Sequence, residues 1–432
     1  MSSSAINVRA MMTNFVSWSK ENLAFILMLL TLILFVSKSL YNLPVSIMAL
    51  IGLRRCLPWP SRLFLDNAVK VYVFMFLALW LPLLFSLTDA VNFAHSARTT
   101  FPYLRFLFMG IYILDERRNL LLFCKLRVAT FWVITFWSID ATMQYLVGVN
   151  LFGYPYREGD ITGMFYPDNT ITHMLAALSP LYFDSLREYS KKHSAVWLLV
   201  LPLFAVVLLG GRRAAWIMIA ISVSGYLLFL LRHTDTLNIS RKALLASGLA
   251  CITMLVLLVY TNKPLQDRLQ ATAGLFSMDY ELADQATSRR LPIWETSVKI
   301  IRNNWINGIG PRGFRHVYQQ FSTADNFFYD TGTTHPHQLL LEVLTETGII
   351  GLFGLIIFIR VFYIFFLGKD RLSPTYPALL SVLIVMFPFS TNLAFYGSYW
   401  SSITWWFLLY CFMAKQYCLA RPLNSADLPR AE

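Results

Sequence analysis

The sequence predicts an all-α polytopic membrane protein of about twelve transmembrane helices, with one large, partly helical loop between the ninth and the tenth. Three observations predict it. Charged residues make up only 14% of the 432 residues and hydrophobic ones 56%, whereas a soluble domain carries about 25% charge. Apolar runs of roughly 20 residues, the length that crosses a bilayer, recur along the chain. Lysine and arginine alternate in density from one connection to the next, as they do between cytoplasmic and external loops.

The runs fall at 22–37, 40–53, 69–88, 99–114, 126–148, 169–186, 194–210, 214–231, 243–261, 338–367, 375–393 and 400–418. The first ends at Ser37-Lys38 with no small-x-small site, so it reads as a retained span and not a cleaved signal. The second is short. The tenth exceeds what a span needs and is expected to begin as a helix outside the hydrocarbon. Aromatic residues reach 16%, and Trp and Tyr flank many runs, as in interfacial belts. The five cysteines (Cys56, Cys124, Cys251, Cys411 and Cys418) form no CxxC pair, and none lies in a segment expected outside the membrane. Neither a disulfide framework nor a zinc site follows.

Orientation follows from the basic residues. With the N-terminus inside, inner connections carry Arg54, Arg55, Arg62 and Lys70, then Arg117, Arg118, Lys125 and Arg127. Later ones carry Arg187, Lys191, Lys192, Arg232, Arg241, Lys242, Lys369 and Arg371, while short outer ones carry only Lys38, Arg98 and Arg157. Both termini are then cytoplasmic, and the segment from Asn262 to His337 is periplasmic or external. Three regions result: spans 1–9 over 1–261, a loop domain over 262–337, and spans 10–12 with a cytoplasmic tail over 338–432. The net charge of +12 is then largely topological, and nucleic acid is not an expected partner.

The loop, at about 75 residues, far exceeds an ordinary connection and is expected to be functional or structured. Trp294 and Ser297 to Ile301 sit at helical spacing, and Asn307-Gly308-Ile309-Gly310-Pro311 is a turn cluster that stops such a helix.

Three clusters at the outer rim can carry chemistry. Gly210-Gly211-Arg212-Arg213 joins spans seven and eight. Its glycines admit close backbone approach, and its arginines open a helix whose free N–H groups favour anions. Arginine grips phosphate bidentately. The bland alternative is a snorkelling anchor, but the charge bias disfavours arginine on an outer boundary. Ser288-Arg289-Arg290 precedes Trp294 by four residues; alone it reads as a solvated basic patch. Thr333 to Gln338 contains His335 and His337 and leads into the tenth run. A positive helix end favours a neutral imidazole there, which can take a proton from a hydroxyl nucleophile. The alternative is an interfacial histidine that caps the helix.

An H-x-H pair without a third spaced ligand is a weak metal signal, and no D-x-D pair occurs. Arginines can stabilise a departing diphosphate instead, so a metal-free site is expected. Arg105, Asp140 and Glu342 lie in or beside apolar runs, where ionisable groups are costly and functional by default; Arg105 either faces a polar cavity or snorkels, and the alternative for Asp140 and Glu342 is a bond to a neighbouring helix.

These residues together resemble the O-antigen ligase family, which shares a domain with O-antigen polymerases and bacterial O-linked oligosaccharyltransferases. Gly211-Arg212-Arg213-Ala214-Ala215-Trp216 resembles the family's "SRgaw" segment, with Arg213 at its arginine. Arg290-Leu291-Pro292-Ile293-Trp294 followed by Asn307-Gly308-Ile309-Gly310 resembles "R-x-x-i-W … p-x-x-GiG". His337-Gln338-Leu339-Leu340-Leu341-Glu342 followed by Glu346-Thr347-Gly348-Ile349-Ile350-Gly351 resembles "HnxyLe … e-x-GiiG". Gln338 stands where Asn is usual, and Arg212 where a small residue is usual.

The resemblance implies a helical fold like that of glycosyltransferases of the C type. It implies transfer of a glycan from undecaprenyl diphosphate to a sugar hydroxyl of lipid A–core, without cofactor. Arg213 and Arg290 would bind the diphosphate and His337 would be the base. Arg212, Arg289, His335 and Arg105 are secondary candidates. An O-antigen polymerase would use the same donor with a second glycan as acceptor. A lipid-linked glycan transporter would instead place polar residues near the midplane on broken helices, often in paired halves.

Overall fold

A computed structural model describes residues 22–57, 62–157, 159–233, 253, 256, 259–367, 375–389 and 393–420. Every regular element among them is helical; the only β-type pairing is two isolated bridges, Val149 with Pro155 and Arg157 with Asp160.

The chain runs through α1 (Asn22–Leu34), α2 (Asn42–Cys56), α3 (Asn67–Phe85), α4 (Phe93–Thr100) and α5 (Leu104–Glu116). It continues through α6 (Leu120–Val147), α7 (Ile171–Ser190), α8 (Val200–Leu209) and α9 (Arg213–Arg232). The loop contributes α10 (Lys263–Ala273), α11 (Tyr280–Ala286), α12 (Leu291–Asn303) and α13 (Phe314–Phe321). Then come α14 (Leu339–Leu367), α15 (Tyr376–Val385) and α16 (Ser398–Ala420). Four helices among the described residues are long and apolar enough to cross a membrane, starting at Asn67, Leu120, Arg213 and Leu339. The chain is a multi-pass membrane protein.

Several expected spans differ in detail. The fourth, placed at 99–114, is split: Pro102 has no N–H to extend α4, and α5 begins at Leu104. Arg105 therefore sits in the first turn of α5. The seventh opens with a 3₁₀ turn, Ser194–Leu199, before α8. Among the described residues of the eleventh, the helix is α15, which ends at Val385 shortly before Pro388. The ninth, 243–261, lies largely outside the described residues, as do Arg241, Lys242, Lys369 and Arg371.

The centre of the bundle is α16, buried continuously from Tyr399 to Ala414. Trp405 touches the rings of Tyr72 and Phe76 on α3, Phe106 on α5 and Phe358 on α14. Lipid is as apolar as these side chains, so packing and interhelical hydrogen bonds hold the helices together. Ser179–Ser222 at 2.6 Å joins α7 to α9, and Thr135–Tyr182 at 3.0 Å joins α6 to α7. Such bonds contribute about 0.6 kcal/mol each. Asp140 on α6 has a similar structural task. It accepts from Asn150 Nδ2 and Leu151 N–H, both at 3.1 Å, and fixes the turn after α6.

Ion pairs gather at one end of the bundle, where Arg55 meets Glu116 at 2.5 Å and Arg117 meets Asp66 at 2.7 Å. A cavity of about 550 Å³ opens at that end between α3, α14 and α16; none of the sequence-predicted site residues lines it. The loop packs on the opposite end. There Val91 N–H donates to Ile309 C=O, and Asn307 Nδ2 to Phe85 C=O and Asp89 Oδ2.

Helix α14 is broken where the loop meets it. Gly348 has φ 59° and ψ −156°, a region essentially reserved for glycine. The break releases carbonyls that the turn cluster collects: Ile309 N–H reaches Thr345 C=O at 2.9 Å, and Gly310 N–H reaches Glu346 C=O at 3.0 Å. On the far side, Ile349 N–H donates to Trp305 C=O at 2.8 Å. Non-helical backbone is tolerated at this depth because protein groups satisfy it. The stretch 349–367, at 1.5 Å per residue, is about 28 Å long and matches a hydrocarbon core. The first turns of α14 thus stand apart from its span.

A Cβ on Gly348 would lie 2.2 Å from Ile306 O, in a backbone conformation closed to L residues. Gly348→Ala is expected to cost about 2–4 kcal/mol. Its thermal unfolding midpoint in detergent should drop by several degrees; an unchanged midpoint would rule out the break.

Candidate active site

The site is built where the α8–α9 turn, the α6–α7 connection, the loop and the start of α14 meet. Gly210 and Gly211 end α8, Arg212 occupies the extended N-cap position of α9, and Arg213 is its first residue. Gly211 has φ 65°, and a Cβ on it would fall 0.8 Å from Arg268 Nη1. Only glycine leaves room for Arg268, which projects from α10 and donates to Gly159 C=O at 3.2 Å.

The two neighbouring arginines diverge. Arg212 pairs with Asp160 at 3.0 Å. Asp160 also accepts from Asn169 Nδ2 at 2.6 Å, and Asn169 donates to Gly210 C=O at 3.1 Å. Gln144 on α6 holds this connection in place through Thr162 and Gly163 N–H, at 2.9 and 2.8 Å. Arg213 faces the loop. Its Nη1 donates to Gln285 C=O at 2.9 Å, Ala286 C=O at 2.6 Å and Ser288 Oγ at 3.2 Å. It caps the C-terminal carbonyls of α11, where a cation suits the helix dipole. Among the described residues Arg213 forms no ion pair.

Arg290 opens α12 as its N-cap residue. Its Nη1 donates to His337 C=O at 3.4 Å, and one turn on, Trp294 Nε1 donates to Pro336 C=O at 3.2 Å. The R-x-x-x-W spacing places both donors on one face of α12, and that face holds the strand of chain carrying the histidines. Burial, and after it the Arg213 and Arg212 guanidiniums, hold the Arg290 side chain below its usual pKa. It remains cationic at neutral pH. Like charges are thus gathered before any anion arrives.

His337 has φ 56° and stands two residues before α14. Its ring lies 3.9 Å, centroid to centroid, from that of His335, which is buried and bonds Thr334 Oγ1 through Nδ1 at 2.8 Å. Gln338 Oε1 accepts from Leu341 N–H at 2.6 Å. Gln338 thus caps the start of α14.

The structure brings Arg212, Arg213, Arg290, His335 and His337 together and leaves two candidates elsewhere. Ser288 and Arg289 both adopt positive φ, 62° and 59°. That turn sends the Arg289 guanidinium over the Phe327 ring at 4.0 Å. Arg105 bonds Ser398 Oγ at 2.5 Å and lies over Phe106. Glu342 is buried and accepts Tyr396 N–H at 3.2 Å, a tie between α14 and the start of α16.

Sequence reasoning missed Arg268, Asp160 and His173. His173, on α7, is 2% exposed and meets Thr172 Oγ1 at 3.3 Å through Nδ1. Arg212 and Arg290 are the charges that act on it. A histidine inside the sixth apolar run was a usable signal. Arg268, in the polar stretch Gln266-Asp267-Arg268, gave none. Among the described residues, no group of three or more His, Cys, Asp or Glu side chains gathers as metal ligands.

Chemically, the arrangement sets a guanidinium cluster suited to a multiply charged anion beside two imidazoles. No curated protein matches the chain. Residues 197–359 match the family model described as O-antigen ligase, a stretch that holds Arg213, Arg290 and His337 and ends within α14. Across these residues the chain is similar to the O-antigen ligase family, whose domain ligases and polymerases share.

Proposed function

We propose that the protein is an O-antigen ligase of the bacterial inner membrane, with both termini cytoplasmic and its site on the periplasmic side. It transfers glycan from undecaprenyl diphosphate to a sugar hydroxyl of lipid A–core. The observation that carries this reading is the bond from the Arg290 guanidinium to the His337 carbonyl. That contact ties a phosphate-type cation to the residue suited to be the base.

In the proposed reaction, Arg213 and Arg290, with Arg268 beside Arg213, hold the donor diphosphate. His337 takes the proton of the acceptor hydroxyl. The acceptor oxygen forms a bond to the anomeric carbon from the face opposite the diphosphate. The carbon–oxygen bond to phosphate breaks, and its electron pair leaves with undecaprenyl diphosphate. The guanidiniums offset the charge that develops on the leaving group. A single displacement inverts the anomeric centre, and no metal or nucleotide enters the balance.

Purified protein reconstituted with undecaprenyl-diphosphate-linked O-antigen and lipid A–core tests the reading. Glycosylated lipid A–core formed in EDTA and without ATP supports it. Chain extension with no attachment to core would assign the polymerase reaction instead. Movement of the donor across the bilayer without transfer would assign a transporter.

A further inference from the structure

A second cationic group, outside the site above, lies where α4 meets α13. Ser96 Oγ donates to Pro311 C=O at 3.0 Å, and Val91 N–H to Ile309 C=O at 3.0 Å, so α4 is fastened to the loop. His95 Nδ1 and His316 Nε2 are 3.3 Å apart. Arg98, Arg312 and Arg315 surround them and form no ion pair among the described residues. Burial, and then Arg315, His316, Arg312 and Arg98, hold the His95 imidazole below its usual pKa, which reports a positive local potential. Arg312 has φ 59°, and its N–H bonds Glu346 Oε2 at 2.7 Å. Its Nη1 is enclosed and meets no protein acceptor.

Beside this charge, two apolar side chains at the ends of α4 are uncovered: Phe93 is 62% exposed and Phe101, just past the helix, 52%. Cations and exposed aromatics on neighbouring positions at a bundle end match an anionic headgroup with acyl chains. Glu346 lies about 10 Å along α14 from its start at Leu339. Arg312, bonded to Glu346, is therefore displaced along that helix from the His337 end by about the length of a few sugars.

We propose that His95, Arg98, Arg312, Arg315 and His316 dock phosphate groups of the glycolipid acceptor, with its acyl chains against Phe93 and Phe101. The proposal rests on the ligase reading for the identity of that acceptor. The phosphates sit on the lipid side of the core oligosaccharide, and the oligosaccharide reaches toward His337.

The test uses full-length protein in nanodiscs and lipid A–core, either intact or treated with phosphatase. Direct binding is measured without donor, and transfer with it. Wild-type protein should bind intact acceptor more tightly than the dephosphorylated form. Arg98→Gln combined with Arg315→Gln should raise KM for intact acceptor about 10- to 30-fold and erase the preference. Its donor KM and kcat should stay at wild-type values. Equal affinity of wild type for both acceptors, or equal losses on both in the variant, overturns the proposal even if transfer proceeds. Preferential binding without any transfer upholds the docking site and sinks the ligase reading. Phosphatidylglycerol competing as well as intact acceptor assigns the patch to bulk anionic lipid and also overturns it.

Discussion

Replacement of His337 by Asn is expected to lower kcat for glycan transfer by about 10²–10⁴-fold, the range that a general base contributes, with the fold retained. Asn suits the test because residue 337 has φ 56°. Asn adopts that left-handed region more readily than most residues, whereas Ala there adds strain of its own. The Arg290 bond goes to the backbone carbonyl of residue 337, so the substitution leaves it in place. The variant should insert, unfold at a near-wild-type temperature, and bind donor with unchanged affinity. His337→Ala should lose the same activity with a lower unfolding midpoint. Transfer by His337→Asn at more than a tenth of the wild-type rate would remove His337 from the role of base.

The contrast between His337 and His173 shows what a sequence reveals. His337 was legible because it stood at a boundary, in Thr333-Thr334-His335-Pro336-His337, just before an apolar run. Boundaries are marked by changes in composition. His173 sits two residues into α7, and its neighbours in sequence look like any span. Its relation to Arg212 and Arg290 depends on how α7 packs beneath the α8–α9 turn, which no local pattern encodes. Arg268 was hidden for the opposite reason. It lies in a polar segment where an arginine is unremarkable, and its role follows from Gly211, 57 residues earlier, having no side chain.

The helices were legible to the extent that length and apolar composition decide them. The α12 helix and the turn after it were readable from Trp294, the apolar spacing and the Asn307–Pro311 cluster. The second task of that cluster, closing the break at Gly348, was not readable. A glycine in an apolar run costs little to explain as packing, and its backbone partners lie about 40 residues away on the loop. The break between α4 and α5 at Phe101–Tyr103 was not readable either, because an apolar count runs straight across it. In each miss the deciding contact is distant in sequence, so tertiary structure overrides the local reading.

Arg290→Ala is the second replacement expected to have a large effect, and it acts differently from that of His337. The side chain supplies positive charge to the candidate diphosphate site and fastens the histidine strand through His337 C=O. Removing an oxyanion-type donor costs about 10²–10³ in rate, and a loosened base adds to it, so kcat/KM should fall by at least about 10³-fold. Arg290→Lys restores a charge but not a planar fork, and should recover only part of the loss. Stability should move the other way. Burial and the Arg213 and Arg212 guanidiniums already disfavour the Arg290 cation. The ligand-free Ala variant should therefore unfold at or above the wild-type midpoint. Undecaprenyl diphosphate should raise the midpoint of wild type and raise that of the variant less, because an anion relieves repulsion only where the cations are present. A large loss of ligand-free stability in Arg290→Ala, with an undiminished response to undecaprenyl diphosphate, would show that Arg290 is a structural clamp on the His337 strand and not part of the diphosphate site.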